Sequence, residues 1–144
     1  MMYESYPPIR NLIMNKLLYS LLALALLLTS CEKDPGEGGT SSITGKVKVM
    51  DYNSDFTEIK EIYYGYNEDV YIIYGDEPVY GNSMKTSYDG TYRFDHLRKG
   101  KYKVFSYSKD SLQQAPGGIF AVIREVEITD KHQDLTLDDL VIVK

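Results

Sequence analysis

The sequence predicts an all-β fold, a two-sheet antiparallel β-sandwich, on three observations. Beyond Ser42 apolar residues recur at every second position, which places them on one face of an extended strand. Helical spacing is hard to find anywhere in the same stretch. Six or seven such short runs are separated by turn signals, the pattern of a sandwich of about 100 residues.

The opening strand sets Ile43, Gly45, Val47 and Val49 on one face and Thr44, Lys46 and Lys48 on the other. Val70, Ile72 and Tyr74 repeat the alternation, as do Tyr92 with Phe94 and Tyr102 with Val104. Asp89-Gly90 suits a two-residue type I′ hairpin turn, because both central positions of that turn need φ > 0. Arg98-Lys99-Gly100 marks a second reversal, so the chain is expected to meander. Near the end, Phe120 and Val122 share a parity with Val126 and Ile128; Arg124 would then point inward, so a bulge is expected around Arg124-Glu125. Leu135 and Leu137, then Leu140 and Ile142, continue the last strand, with Asp138-Asp139 breaking its phase. Tyrosine suits such strands, since it brings a large apolar body with a polar tip to the sheet rim.

Residues 1–30 read as a lipoprotein signal peptide. The apolar run Leu17–Leu28 has 12 residues, inside the ~7–15 of a secretory core and short of the ~20 of a spanning helix. Met1–Ile13 carries Glu4 and two prolines, unlike a basic leader, whereas Met14-Asn15-Lys16 fits one; translation is expected to begin at Met14. Leu28-Thr29-Ser30-Cys31 resembles a lipobox. The resemblance implies that the Cys31 sulfur takes a diacylglyceryl group, that cleavage falls just before it, and that the protein is held by lipid at the outer membrane or cell surface. Residues 31–42 are expected to be a flexible tether, since Glu32–Ser42 has no apolar residue and includes Pro35, Gly36, Gly38 and Gly39. Glu32 and Asp34 also resemble surface-export signals, with Lys33 interrupting them.

The mature chain would number 114 residues, enough for one domain, 43–144. Losing Arg10, Lys16 and Glu4 leaves 14 basic against 20 acidic residues, a net charge of −6. That balance disfavours nucleic acid, whose affinity comes from Lys and Arg on phosphates, and a polybasic membrane contact. Membrane lipid would instead be engaged through acyl chains on Cys31, at about 0.8 kcal/mol per buried CH₂. As the only cysteine, Cys31 leaves no intramolecular disulfide.

The motifs Gly45-Lys46-Val47, Val70-Tyr71-Ile72, Thr86-Ser87-Tyr88-Asp89-Gly90-Thr91-Tyr92-Arg93-Phe94, Leu97, Gly100 and Tyr102-Lys103-Val104 together resemble the carboxypeptidase regulatory-like family, a transthyretin-like sandwich. The likeness covers about residues 43–107, with a looser fit to the end. It departs at Asn53–Asn67, which is longer and more polar than the family's usual first connection, so the Tyr63-Tyr64-Gly65-Tyr66 region has no assigned place.

Chemistry is sparse. His96 and His132 have no metal-ligand spacing, lipidated Cys31 could not serve as a fourth donor, and no zinc or other cofactor is expected. No Gly-x-Ser-x-Gly elbow is present, and Ser106 and Ser108 alternate with aromatics in a strand. Related sandwich hydrolases of purine breakdown end in Tyr-Arg-Gly-Ser, whereas this chain ends Val141-Ile142-Val143-Lys144, so an enzyme is not expected. The carboxylates Asp51, Asp55, Asp89, Asp95, Asp138 and Asp139 are expected to solvate turns rather than hold calcium. Lys46 and Lys48 face outward, against an internal isopeptide bond.

The remaining candidate is a surface. With Val70, Ile72, Tyr102 and Val104 inward, Tyr71, Ile73, Phe105 and Tyr107 face outward, and exposed aromatic clusters mark sites for glycans or protein partners. The sequence therefore reads as a non-catalytic binding or spacer module, or else as an accessory subunit that docks onto an envelope assembly. If Cys31 is the lipid attachment point, Cys31→Ser should abolish incorporation of a fatty-acid analogue in cells. Label retained on the serine variant would refute the assignment.

Overall fold

The computed structural model describes Tyr19 and residues 34–144, so apart from Tyr19 the signal segment, together with Met14 and Cys31, lies outside the described residues. Nine strands follow in order: β1 Glu37–Tyr52, β2 Ile59–Tyr64, β3 Asp69–Tyr74, β4 Asn82–Lys85, β5 Thr91–Leu97, β6 Gly100–Lys109, β7 Ile119–Ile128, β8 Asp134–Thr136 and β9 Leu140–Val143.

They form two sheets, and the first is built around β1. Odd-numbered residues of β1 turn their backbone groups to one edge: Val47 N–H donates to Gly90 C=O, and Val47 C=O accepts from Gly65 N–H, both at 2.9 Å. Along that edge β5 and then β2 pair antiparallel with β1. Even-numbered residues serve the other edge, where Thr44 C=O accepts from Leu137 N–H at 2.8 Å and Met50 C=O from Lys144 N–H at 3.1 Å. There β8 and β9 run parallel to β1, which departs from the all-antiparallel expectation. The reason is a sheet crossing: β7 ends opposite the start of β6, the chain passes to the first sheet, and β8 begins beside Ser42 and can only run onward with β1. The second sheet, ordered β4-β3-β6-β7, is antiparallel throughout.

The inward parity expected for the strands is observed, except that Phe120, at the outer end of β7, extends past the core and is exposed. Ile43, Val47, Val49, Tyr92, Phe94, Leu97, Leu140 and Ile142 of the first sheet meet Val70, Ile72, Tyr102, Val104 and Ile128 of the second. Each such side chain removed from water contributes roughly 1.5–3 kcal/mol.

The connections differ from a meander. Only β1–β2, β3–β4 and β6–β7 join hydrogen-bonded neighbours; β8–β9 stays within the first sheet, with both strands beside β1, and the other four connections cross between sheets. The Asp89-Gly90 turn is one of these, linking β4 to β5, and it is not type I′. Among non-glycine residues Asp89 does not have positive φ, whereas Gly90 sits at 77°. Gly90 N–H closes on Ser87 C=O and Ser87 N–H on Thr91 C=O, both at 2.9 Å, so the loop has three residues with the left-handed one last. Arg98-Lys99-Gly100 likewise carries the chain from β5 into the other sheet.

The bulge expected at Arg124-Glu125 is absent, since β6 and β7 pair without a shift from Gly100↔Ile128 to Lys109↔Ile119. Arg124 keeps the inward parity, but its stem carries the guanidinium to the Asp139 carbonyl at 3.0 Å, so no charge enters the core. Tyr63-Tyr64 ends β2, with Tyr63 packed on the core and Tyr64 exposed.

The tether reading of 31–42 also requires correction. Strand β1 starts at Glu37, and Ser41 and Ser42 are buried. Gly36 N–H donates to the Tyr102 hydroxyl at 3.0 Å, that hydroxyl bonds Arg98 C=O at 2.7 Å, and Arg98 N–H donates to Gly36 C=O at 2.9 Å. The Glu37 carboxylate accepts from Asn82 Nδ2 at 2.7 Å and from the Tyr74 hydroxyl at 3.2 Å, which ties the start of β1 to the second sheet. A glycine-rich composition here serves close packing rather than mobility: a Cβ on Gly39 would lie 1.9 Å from the Leu97 carbonyl oxygen.

Gly45 has a similar cause. It pairs with Tyr92, whose ring lies over it; an added Cβ would come within 2.3 Å of the hydroxyl oxygen and 2.5 Å of Cζ. The Tyr92 hydroxyl is buried with no hydrogen-bond partner, and burial pushes its phenol up from the ordinary range. Tyr92→Phe should therefore hold or raise stability, since an unpaired buried hydroxyl costs about 1–3 kcal/mol. Gly45→Ala should lose about 1–3 kcal/mol by overpacking, and adding Tyr92→Phe should relieve only part of that loss, because the ring Cζ that phenylalanine keeps still lies 2.5 Å from the added Cβ. Denaturant unfolding of the three variants checks this; a Gly45→Ala chain as stable as the parent would remove the ring contact as the cause.

Candidate functional site

The outer face of the second sheet carries the aromatic side chains that the alternation places there. Strands β3 and β6 set Tyr71 opposite Phe105 and Ile73 opposite Lys103, while β7 sets Ala121 beside Tyr107 and Ile123 beside Phe105. Tyr71 and Phe105 stack at 5.0 Å and 18°. Tyr107 presents an edge to both, with centroids 5.6 Å from Tyr71 and 5.5 Å from Phe105.

The four expected residues are thus brought together, but they are not equally open. Tyr107 is 50% exposed, Tyr71 and Ile73 are half-buried, and Phe105 is only 6% exposed. Phe105 is the floor of the cluster rather than part of its accessible surface, because the rings of Tyr71 and Tyr107 close over it. Cys31, the other expected site residue, lies outside the described residues.

Tyr80, which the alternation could not place, completes the cluster. It lies in the connection between β3 and β4, 4.9 Å from Tyr71 and tilted by 58°, with 52% of its surface exposed. Its one signal in the sequence is the apolar pair Val79-Tyr80 inside an otherwise polar turn. Asn53–Asn67, by contrast, supplies β2 to the other sheet.

Burial pushes the Tyr71 phenol up, and the neighbouring Asp69 carboxylate and the Tyr80 and Tyr107 hydroxyls add to the shift, so the Tyr71 phenol stays a protonated donor at neutral pH. The rim is charged. Lys85 pairs with Asp69 at 2.9 Å, and Lys103 lies 3.9 Å from Asp76. Between Asp76, Lys101, Lys103, Glu125 and Glu127 an open cleft of about 400 Å³ borders the face at the end where β6 begins.

A second aromatic pair stands apart, Tyr66 stacked on Tyr88 at 4.4 Å and 2°. Chemistry beyond stacking and hydrogen bonding finds few groups. His132 sits in a turn at φ 58°, and His96, also at φ 58°, lies within β5 where its register with β1 shifts. Asp89 has its oxygens taken by Thr91, Lys46 and Ser87, which hold its carboxyl well below the usual range. Among the described residues no group of three or more His, Cys, Asp or Glu side chains is placed to hold a metal ion.

No family model matches the chain, and no curated protein does. Among solved structures, one similar to it is a crystal structure from Pseudomonas aeruginosa of a protein provisionally named a carbohydrate binding protein. It shares 16% identity over 76% of this chain and 91% of that one, at a TM-score of 0.47.

Burial divides the cluster in a measurable way. Phe105→Ala should cost about 3–5 kcal/mol, as for a core aromatic. Tyr107→Ser should cost about 1 kcal/mol or less, as for an exposed position. Thermal unfolding of both variants checks it, and similar losses at the two positions would contradict the floor-and-rim arrangement.

Proposed function

We propose that the chain is a lipid-anchored, non-catalytic module of the outer membrane or cell surface that binds a ligand, glycan or protein, on the aromatic face of its second sheet. The observation that supports this most directly is the cluster of Tyr71, Tyr80 and Tyr107 over Phe105, four rings within 5.6 Å of Tyr71 or of one another along the packed chain of contacts. Aromatic surface left in water is normally covered in a monomer unless something binds it. Sugar rings suit this face: their C–H surfaces stack on phenol rings, and the Tyr hydroxyls with the Asp69–Lys85 pair supply donors and acceptors at its rim. Membrane lipid enters through Cys31, and nucleic acid is disfavoured by the acidic balance of the chain.

A second reading, an accessory subunit docked on an envelope assembly, has its own support. Ser111–Ile123 carries no charged residue; it exposes Ile119 and Ile123 on the same face, and Leu112 and Phe120 around a neighbouring hollow. Aliphatic surface of this kind suits a protein partner better than a glycan.

Replacing Tyr71, Tyr80 and Tyr107 together with Ser should abolish capture on a glycan array of envelope polysaccharides while leaving a cooperative unfolding transition. Undiminished glycan capture by the folded triple variant would move the function elsewhere. Absence of glycan capture by the parent protein, with co-purification of one envelope protein lost in Leu112→Ser/Phe120→Ser, would favour the docking reading.

A further inference from the structure

Strand β7 ends its sheet with a bare edge. Its even-numbered residues bond to β6: Asp110 N–H donates to Gly118 C=O at 2.9 Å just beyond the strands, and the unshifted register carries that phase through Ser108↔Phe120 and Ser106↔Val122. The backbone groups of Ile119, Ala121 and Ile123 therefore point away from the sheet. Among the described residues none of their N–H groups meets an acceptor, and the Ile123 carbonyl takes only a guanidinium N–H of Arg124 at 3.3 Å.

Other edges are blunted. Ser83 N–H on β4 is capped by Asn82 Oδ1 at 2.7 Å, and Arg93 N–H on β5 by Met84 Sδ at 3.2 Å. Strand β2 is broken by a register shift opposite Asp51/Tyr52 that leaves Lys60 without a partner. Against that pattern, a long apolar edge left uncapped is a template for another strand.

We propose that this strand is a second copy of the same chain, paired antiparallel through β7 about a two-fold axis at Ala121. A two-fold axis normal to a sheet keeps each face on its own side, so only same-parity residues can face each other and the axis must pass beside a single residue. Centring on Ala121 sets Ile119 opposite the partner's Ile123, Phe120 opposite the partner's Val122, and Ala121 opposite the partner's Ala121. Every facing pair is then uncharged, and each of the pairs built on odd residues exchanges two backbone hydrogen bonds from groups now unpaired. Centring on Ile123 would instead set Val122 against the partner's Arg124 and Ile119 against the partner's Glu127, which the sequence disfavours.

The dimer would join the two four-stranded sheets into one of eight strands. Tyr107 lies beside Ala121, so the two aromatic faces would meet across the seam and bind a repeating ligand twice. That consequence rests on the binding face proposed above, but the pairing does not.

Sedimentation of the full chain in detergent over a wide concentration range is the test. The parent chain should dimerise. Ile123→Lys, at an already exposed position, should weaken the dimer roughly tenfold or more. Adding Ile119→Glu should restore it, because this register alone sets position 119 against position 123 of the partner. Ala121→Pro should also abolish dimerisation at an unchanged unfolding midpoint, since it deletes only an outward N–H. A monomer at all concentrations, or a double variant no tighter than Ile123→Lys, overturns the proposal. Glycan capture by a monomeric parent chain would leave the binding reading standing alone.

Discussion

Four of the nine strands depend on a fifth. β1 bonds β5 and β2 along its odd-numbered edge and β8 and β9 along its even-numbered edge, so four short strands share one register rather than having four of their own. None of the four has more than seven residues. Such strands are marginal in isolation, and here each is held by its ladder to β1 and by the core beneath it. Any change that bends β1, at Gly45 above all, is therefore felt across the whole first sheet.

That dependence explains which features could be read from the sequence. Inward parity was legible because period two is a local property: Ile43, Val47, Val49, Val70, Ile72, Tyr92, Phe94, Tyr102 and Val104 all lie where alternation places them. Sheet membership was not, since it depends on which way the chain crosses between layers. The parallel course of β8 and β9 follows from where β7 ends, and no residue within those strands encodes it. Gly36–Ser42 was misread for a different reason. Polar and glycine residues normally mark a solvated linker, but here serine hydroxyls and bare backbone are what fit against Leu97, Arg98 and Asp130.

The aromatic face was legible in outline. Alternation identified Tyr71, Ile73, Phe105 and Tyr107, and the sheet register brings them together. What alternation cannot report is how neighbours cover one another: Phe105 vanishes beneath Tyr71 and Tyr107, and Tyr80 arrives from a turn that has no period. The face is thus an emergent property of three strands and a loop, and its rim of ion pairs keeps the aromatic area bounded.

The parallel course of β9 beside β1 has a mechanical side. Val47–Met50 lies alongside Leu140–Val143, with the two strands pointing the same way. Tension applied between the start of β1 and the end of β9 would draw the strands in opposite directions along their common axis. Their hydrogen bonds would then be loaded together in shear instead of parting one at a time, as they would if a hairpin were peeled from its open end. A sandwich tethered at one end of β1 and gripped at the end of β9 would resist pulling with its whole central ladder.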